Sequence, residues 1–390
     1  MRAKKIKEKS YKMSDRKPSK TRLIKEEDSQ LVSILKERAQ MVEERERVIA
    51  NRSFSLLAAK DELFFQQLSE FTDTLFKHNP IKATGFSAKK NVKPARREVN
   101  LDISDTHIRA SLDPRELPHK YGWQEEARRL AKVAKEVANY KTQYRDITHL
   151  NLNLMGDIIQ GILAHDPRDG APLAEQCGAA IHLLTQLVVY LAANYPKVKV
   201  RCTPGNHGRN VVRHKARAMH QKWDAFETII YYAVKTATQH LSNVTFEIPY
   251  TPYFIYDTFG HHVLVTHGDT FIDVGNPGSM IKVKDLNQRI NEVNAARPKG
   301  QFVEVVTVGH VHIASRFRLP SGVVVMTNGA LIPPDGFFVN GVGKLESTCS
   351  QTLWESTEQY AAGDYRELVV DITTDQDSSL DTIIKPFLEF

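Results

Sequence analysis

Cysteine is scarce in this chain. Cys177, Cys202 and Cys349 lie far apart, are odd in number and form no CxxC or zinc-finger spacing. A disulfide scaffold and a thiolate metal site are therefore not expected, and free, buried thiols are. Also lacking is any uninterrupted apolar run of the roughly 18 residues that a membrane-spanning helix needs, so no membrane is expected as a partner. The basic N-terminal residues have no apolar stretch behind them, which argues against a secretory signal. No internal repeat is visible. Hydrophobic residues at 41% and charged residues at 25% are ordinary for a soluble globular protein, and 390 residues allow one large domain of about 250 residues plus an appendage.

Acidic residues are short in the first quarter of the chain. Residues 1–100 carry 24 Lys and Arg against 14 Asp and Glu, whereas the remainder carries 29 against 32. The net charge of +7 is thus placed entirely in the N-terminal part. Basic arms meet nucleic acid or another polyanion, and a solvated tail is the plain alternative. Residues 1–22 read as a basic disordered tail. Residues 23–78 read as a helical N-terminal unit, with a thin stripe at Leu31, Ile34 and Leu35 and a stronger one at Leu56, Leu57, Leu63, Phe64, Leu68 and Phe71. That unit could serve packing or homo-oligomerisation. Residues 79–98, with six basic side chains among Gly and Pro, read as a linker.

From residue 99 strands and helices alternate. VNLDISD, HLNLNLMGD and KVKVRCTPGNH read as strands separated by helices at 123–144 and 171–195, with a further helix at 216–241. The strands VTFEIP, YFIYDTFG and HHVLVTHGD follow. A helix at 281–296 leads to VEVVTVGHVH, FRLPSGVVVMTNG and a closing YRELVVDITTD. This order predicts two packed mixed sheets with helices outside.

Five of the apolar runs end alike. They finish in Ser104-Asp105-Thr106-His107, Gly156-Asp157, Gly205-Asn206-His207, His267-Gly268-Asp269 and Gly309-His310-Val311-His312. Each alone has an ordinary reading as turn chemistry or a satisfied core histidine. All five together, each at the end of a β-run, are hard to obtain from folding needs. On a strand, residues two apart point to one side, so Asp105 with His107, and His310 with His312, can each face one ion. Carboxylate with imidazole suits Mn, Fe, Zn, Ni or a similar ion better than an all-oxygen cage does. Asp157, a carboxylate at a strand end, can bridge two cations, and such a pair can clamp a phosphate and generate hydroxide. His182, His261 and His262 lie outside this pattern. His165, in a loop after the second stretch, is a candidate substrate contact.

The series DxH, GD, GNH, HGD and GHxH resembles the calcineurin-like metallophosphoesterase superfamily over residues 99–330. The resemblance implies a four-layer α/β/β/α sandwich of two mixed sheets, preceded here by the helical extension and followed by a C-terminal extension from about 335. It implies two divalent metal ions, Mn before Fe, Zn, Ni or Mg. Asp105, His107 and His312 would hold the first, Asn206, His267 and His310 the second, and Asp157 would bridge. His207 would be the catalytic histidine that is not a ligand, protonating the leaving oxygen. Many members carry an acidic residue after Asn-His. Here Gly208 and Arg209 follow, and Arg209 is either a phosphate clamp or an ordinary surface arginine. Arg109 has the same two readings. The finer look is similar to phage-type enzymes, which would place the protein in a host cytoplasm. The implied activity is hydrolysis of phosphodiester bonds, foremost as a DNA nuclease, exonuclease or endonuclease, of the SbcD-like branch, with DNA as partner. The alternatives are a nucleotide or small-molecule phosphodiesterase or phosphatase and a non-catalytic nucleic-acid scaffold.

Overall fold

Val99, Leu101 and Ile103 alternate with Asn100 and Asp102 to make the strand β1 (Arg97–Ile103). The computed structural model describes residues 40, 41, 44 and 97–389, except 113–120, 145, 163–169, 211–221, 273, 275–280, 335–347 and 371–379. The chain divides into two compact units, Met1–Gln66 and Gln67–Phe390. Of the first, Gln40, Met41 and Glu44 are described, all helical and exposed. The tail 1–22, the rest of the helical unit and the linker up to 96 lie outside the described residues. Arg97 and Glu98, read with that linker, belong to β1. There Arg97 pairs with Asp146 and Glu355, both at 3.1 Å, which makes a basic residue part of the sheet edge.

The further strands are β2 (Ile147–Leu154), β3 (Lys197–Cys202), β4 (Val244–Glu247), β5 (Tyr253–Thr258), β6 (His261–Thr266), β7 (Val303–Val308), β8 (Ser315–Arg318), β9 (Val324–Thr327), β10 (Ser350–Thr357) and β11 (Tyr365–Val369). One sheet has the order β11-β10-β1-β2-β3-β4 and the other β5-β6-β7-β9-β8. β1, β2, β3 and β4 run parallel, β10 antiparallel to β1. In the second sheet β6, β7 and β9 run parallel, with β5 and β8 antiparallel at its edges. Among the described residues the helices of this unit are α1 (Trp123–Gln143), α2 (Leu173–Asn194), α3 (Phe226–Ala237), α4 (Val283–Ala295) and α5 (Leu380–Leu388). Of the helix expected at 216–241, residues 216–221 lie outside the described residues; the described helix is α3, and Ala225, just before it, bridges to Arg209.

The layers follow from which faces are apolar. The outer face of the first sheet (Val99, Leu101, Leu150, Leu152, Val198) packs on α1, α2 and α3, with Phe387 of α5 in the same core. α2 is long and apolar enough to cross a membrane by composition, but 61% of its apolar window is buried in this core. α4 covers the outer face of the second sheet through Leu286 and Ile290. The two inner faces meet at Phe254, Tyr256, Val265, Val305, Met326 and Trp354. This is the four-layer α/β/β/α sandwich of the sequence reading.

The inner face of the first sheet is polar as well as buried. Asp102 is fully enclosed and accepts hydrogen bonds from Asn153 Nδ2 (2.7 Å), Thr307 Oγ1 (2.6 Å) and Trp354 Nε1 (2.9 Å). Burial raises its pKa, and these three donors pull it back. β10 joins this network through Trp354 and lies between β1 and β11. Ser350–Thr357 and Tyr365–Val369 are therefore part of the first sheet rather than an appendage beyond it.

Candidate metal centre

Five strand ends converge at one edge of the sandwich, where β1, β2, β3, β6 and β7 finish. In parallel sheets this C-terminal edge is where ligands bind. The loops after β1 and β2 run side by side. Asp105 N donates to Gly156 O at 3.1 Å, His107 N to Asp157 O at 3.0 Å and Ile108 N to Ile158 O at 2.8 Å. β1 ends at Ile103, so Asp105 and His107 do not share a face by strand alternation as the sequence suggested. Their backbones are left-handed, with φ of 50° and 44°. Asp157 (50°), His310 (68°) and His312 (57°) have the same conformation. Non-glycine residues avoid this region, and its occupation concentrates at sites where side chains must be aimed.

Gly156 and Gly205 let the second and third loops touch. A Cβ on Gly156 would lie 2.1 Å from Gly205 N, and one on Gly205 would lie 2.0 Å from Asp157 Oδ1. Asp157 can consequently reach the third loop, where His207 N donates to its Oδ1 at 2.8 Å. The second sheet is tied in by His310 N, which donates to Asp105 Oδ2 at 3.0 Å.

The candidate ligands fall into three overlapping groups, each with donor atoms within 4.8 Å of one another: Asp105, His107 and His312; Asp157, His267 and His310; and His107, Asp157 and His207. Asn206 belongs with the second, its Oδ1 lying 3.0 Å from His267 Nε2. Orientation of the rings suits metal binding. His267 Nδ1 donates to Met155 O at 2.8 Å. That turns Nε2 toward Asp157 Oδ2 (3.0 Å), Asn206 Oδ1 (3.0 Å) and His310 Nδ1 (3.2 Å). Four lone-pair atoms facing one point need a cation or shared protons between them. His107 Nδ1 meets Gln160 Oε1 at 2.8 Å, and its Nε2 is buried with no hydrogen-bond partner. An orphaned imidazole nitrogen beside Asp105 and His312 is a ligand atom in search of an ion. The donor set of carboxylates, imidazoles and one amide fits borderline divalent ions.

The carboxylates and imidazoles of the cluster shift one another's titration. Burial would raise the Asp157 carboxyl, but His267 and His207 hold it well below its usual range. Burial would lower His267, yet Asp157 lifts it to about 9. Burial and the adjacent His207 press His107 down to about 4, and burial and His267 do the same to His310, also to about 4. Burial works against ionised Asp105, and His312 and His267 together outweigh it and lower its pKa.

His207 sits at the rim. Its Nδ1 lies 2.9 Å from the carbonyl oxygen of Gln160, which only accepts, so Nδ1 carries the hydrogen and Nε2 is left for the site. Its ring meets His107 edge-on at 4.6 Å. Arg209 is buried rather than on the surface, and its guanidinium pairs with Asp269 at 3.0 Å. Arg109 also has left-handed backbone (66°), and its guanidinium pairs with Glu175 of α2. His165 lies outside the described residues.

Three residues of this edge carry no assignment from the motifs. Glu227 of α3 is fully enclosed, accepting from Ile158 N at 2.5 Å and Gly205 N at 2.6 Å, and so clasps the loops that carry Asp157 and Asn206. Burial, then the nearby Asp157, raise its pKa to about 7. Gly208 makes room for it, since a Cβ there would lie 2.5 Å from Glu227 Cγ. Glu227 thus reaches the Asn-His loop from a helix 20 residues on, at no motif spacing. Gln160 orients both His107 and His207. Asp269 stands inside the HGD stretch, yet its partners Arg209 and Lys222 are visible only in the fold.

No protein-family model and no curated protein matches the chain. Among solved structures, a hypothetical protein of Pyrococcus horikoshii matches at 11% identity over 75% of this chain and 96% of that one, with a TM-score of 0.38. A dimetal phosphatase of Danio rerio matches at 10% identity over 70% and 99%, TM-score 0.33. A 5'-nucleotidase of Candida albicans matches at 11% identity over 76% and 58%, TM-score 0.30. With TM-scores this low, these likenesses do not decide the activity, and the side chains must.

Proposed function

We propose that the chain is a metal-dependent hydrolase of phosphodiester bonds, and that its substrate is DNA. One observation carries the hydrolase reading: seven donors from five strand ends, with Asp157 shared between groups, meet in one cluster. Two divalent ions there, when bound, would supply Lewis acidity and an activated water. Asp105, His107 and His312 would hold one, Asn206, His267 and His310 the other, and Asp157 would bind both. Glu227 and the paired loop backbones keep these donors in register. His207, with Nδ1 fixed on the Gln160 carbonyl, directs Nε2 at the leaving oxygen and delivers the proton there. DNA is favoured by the basic N-terminal quarter and by the buried cations Arg209 and Lys222 beside the site.

The test is hydrolysis by the Mn-loaded full chain of single-stranded DNA, duplex DNA and a panel of mononucleotides. The expected result is DNA cleavage whose binding step weakens steeply with salt. Cleavage of mononucleotides alone would overturn the nuclease reading. His207→Ala should retain two ions per chain and lose about 10²- to 10⁴-fold in turnover. Loss of an ion in that variant would make His207 a ligand instead.

A further inference from the structure

Arg209 and Lys222 are both more than nine-tenths buried, and both bond the same carboxylate, Asp269. One carboxylate can neutralise one of these two cations. Buried charges are costly unless paired, and Arg209 Nε is in addition buried without a hydrogen-bond partner. The eleven residues between Asn210 and Lys222 include Arg213, Lys215 and Arg217 and no Asp or Glu; the next acid, Asp224, accepts from Asn210 Nδ2 at 3.0 Å through Oδ1. The place of this surplus is specific. Arg209 follows Asn206 by three residues and Asp269 follows His267 by two, and Asn206 and His267 touch at 3.0 Å. The cations therefore lie beside the donor group of Asn206 and His267.

We propose that Arg209 and Lys222, held by Asp269, form an anion subsite for a second phosphate of the substrate, next to the ester that is cleaved. The inference rests on the phosphoesterase reading and narrows its substrate class to molecules carrying two neighbouring phosphates. A guanidinium offers a planar fork to two phosphate oxygens, and the ammonium adds a compact charge. Asp269 fixes both while leaving one positive charge for the ligand. A polynucleotide has its next phosphate one sugar away, and a nucleoside diphosphate has it on the same bridging oxygen.

Calorimetric titration of the Mn-loaded full chain with phosphonates, whose carbon–phosphorus bonds a phosphoesterase does not cut, tests this. The probes are methylphosphonate, methylenebisphosphonate and a propylene-linked bisphosphonate. The second phosphonate should tighten binding by about tenfold or more, the range of one charge-assisted hydrogen bond. A larger gain for the propylene link supports a polynucleotide, and a larger gain for the methylene link supports a diphosphate. In Arg209→Gln and in Lys222→Met the ratio of bis- to monophosphonate affinity should fall to within about threefold, and Lys222→Arg should restore it. Equal affinity of the wild type for one and two phosphonates overturns the proposal without any variant. So does a ratio that survives both substitutions, which would mean that the metals alone chelate the second group. Because the readout is binding, a chain that prefers bisphosphonates yet hydrolyses no phosphoester overturns the hydrolase reading and leaves the subsite standing.

Discussion

The two edges of the second sheet are built in opposite ways. Where β6 and β7 finish, side chains converge on backbone amides, and His310 and His312 take left-handed backbones. The same conformation recurs across the gap at Asp105, His107 and Asp157. Where β6, β7 and β9 begin, an open cavity of about 580 Å³ is lined by His261, Phe302, Glu304, Arg318 and Tyr360, with His261 paired to Glu304 at 3.0 Å. The roomy edge holds none of the clustered donors, and the edge with the donors is tightly packed. Size therefore does not mark where the donors cluster in this molecule. Strain and orphaned polar atoms do, because a fold keeps them only where something else is gained.

The sharpest way to break this contrast is to remove the group that the metal edge shares. Asp157→Asn deletes the carboxylate common to two of the donor groups. On the proposed reading, Mn stoichiometry, read by titration, should fall below two per chain, and phosphodiester turnover should be lost. Two ions still bound with turnover intact would mean that Asp157 does not bridge.

The next effect is smaller and tests the packing behind the ligands. Glu227→Ala leaves Ile158 N and Gly205 N without their acceptor, at roughly 1–3 kcal/mol for each unpaired group. Ligand loops that lose such support bind metal about 10- to 100-fold more weakly. Gly208→Ala should act in the same direction, since its Cβ would fall 2.5 Å from Glu227 Cγ. Unchanged Mn affinity and melting temperature in both variants would show that the clasp is idle.

These two variants also mark where the sequence was legible. Asp105, His107, Asp157, Asn206, His267, His310 and His312 could be found because each follows an apolar strand and lies within a few residues of its end. Glu227 and Lys222 could not, since a helix and a long excursion bring them in, and no local spacing records that. The sheets were legible wherever a strand has an apolar face. β10 was missed because SQTLWEST puts Gln351 and Ser356 inside the molecule, where Gln351 Oε1 accepts from Ser104 N at 2.9 Å and Ser356 Oγ from Asn100 Nδ2 at 3.2 Å. Polar positions satisfied by a buried network look like solvent positions in a sequence. The i, i+2 argument brought out Asp105 and His107 for the wrong reason, because a pair of left-handed residues aims them and not the pleat.

A third prediction concerns the wall behind the first metal loop. Glu126 of α1 accepts from Arg109 N at 2.8 Å through Oε1, while its Oε2 is buried without a partner. Burial raises its carboxyl from the ordinary 4.5 to about 7, against the pull of the Arg109 amide. The folded pKa is above the unfolded one, so folding takes up a proton between those values. The stability this supplies is complete below about pH 4.5 and is lost as pH rises through about 7. Glu126→Gln, neutral at every pH, should melt with the wild type near pH 5 and above it at pH 8. Parallel melting curves at both pH values would mean that Glu126 is ionised in the fold.

The smallest expected effect lies at the open edge. Phe302 and Tyr360 line the cavity there and are 48% and 63% exposed, so their replacement removes little buried area. Substitutions at such positions stay within about 0.5 kcal/mol. Phe302→Ser and Tyr360→Ser should therefore leave the melting temperature nearly where it was, and leave Mn-dependent turnover within about twofold, a factor that corresponds to a similar fraction of a kilocalorie. β6 and β7 run from this edge to the ligands, so a coupling between the ends would have to travel along them. A fall in turnover of tenfold in either variant, with two ions still bound, would reveal that coupling. The open cavity would then belong to the catalytic apparatus, and the division of the sheet into a working edge and an idle one would have to be abandoned.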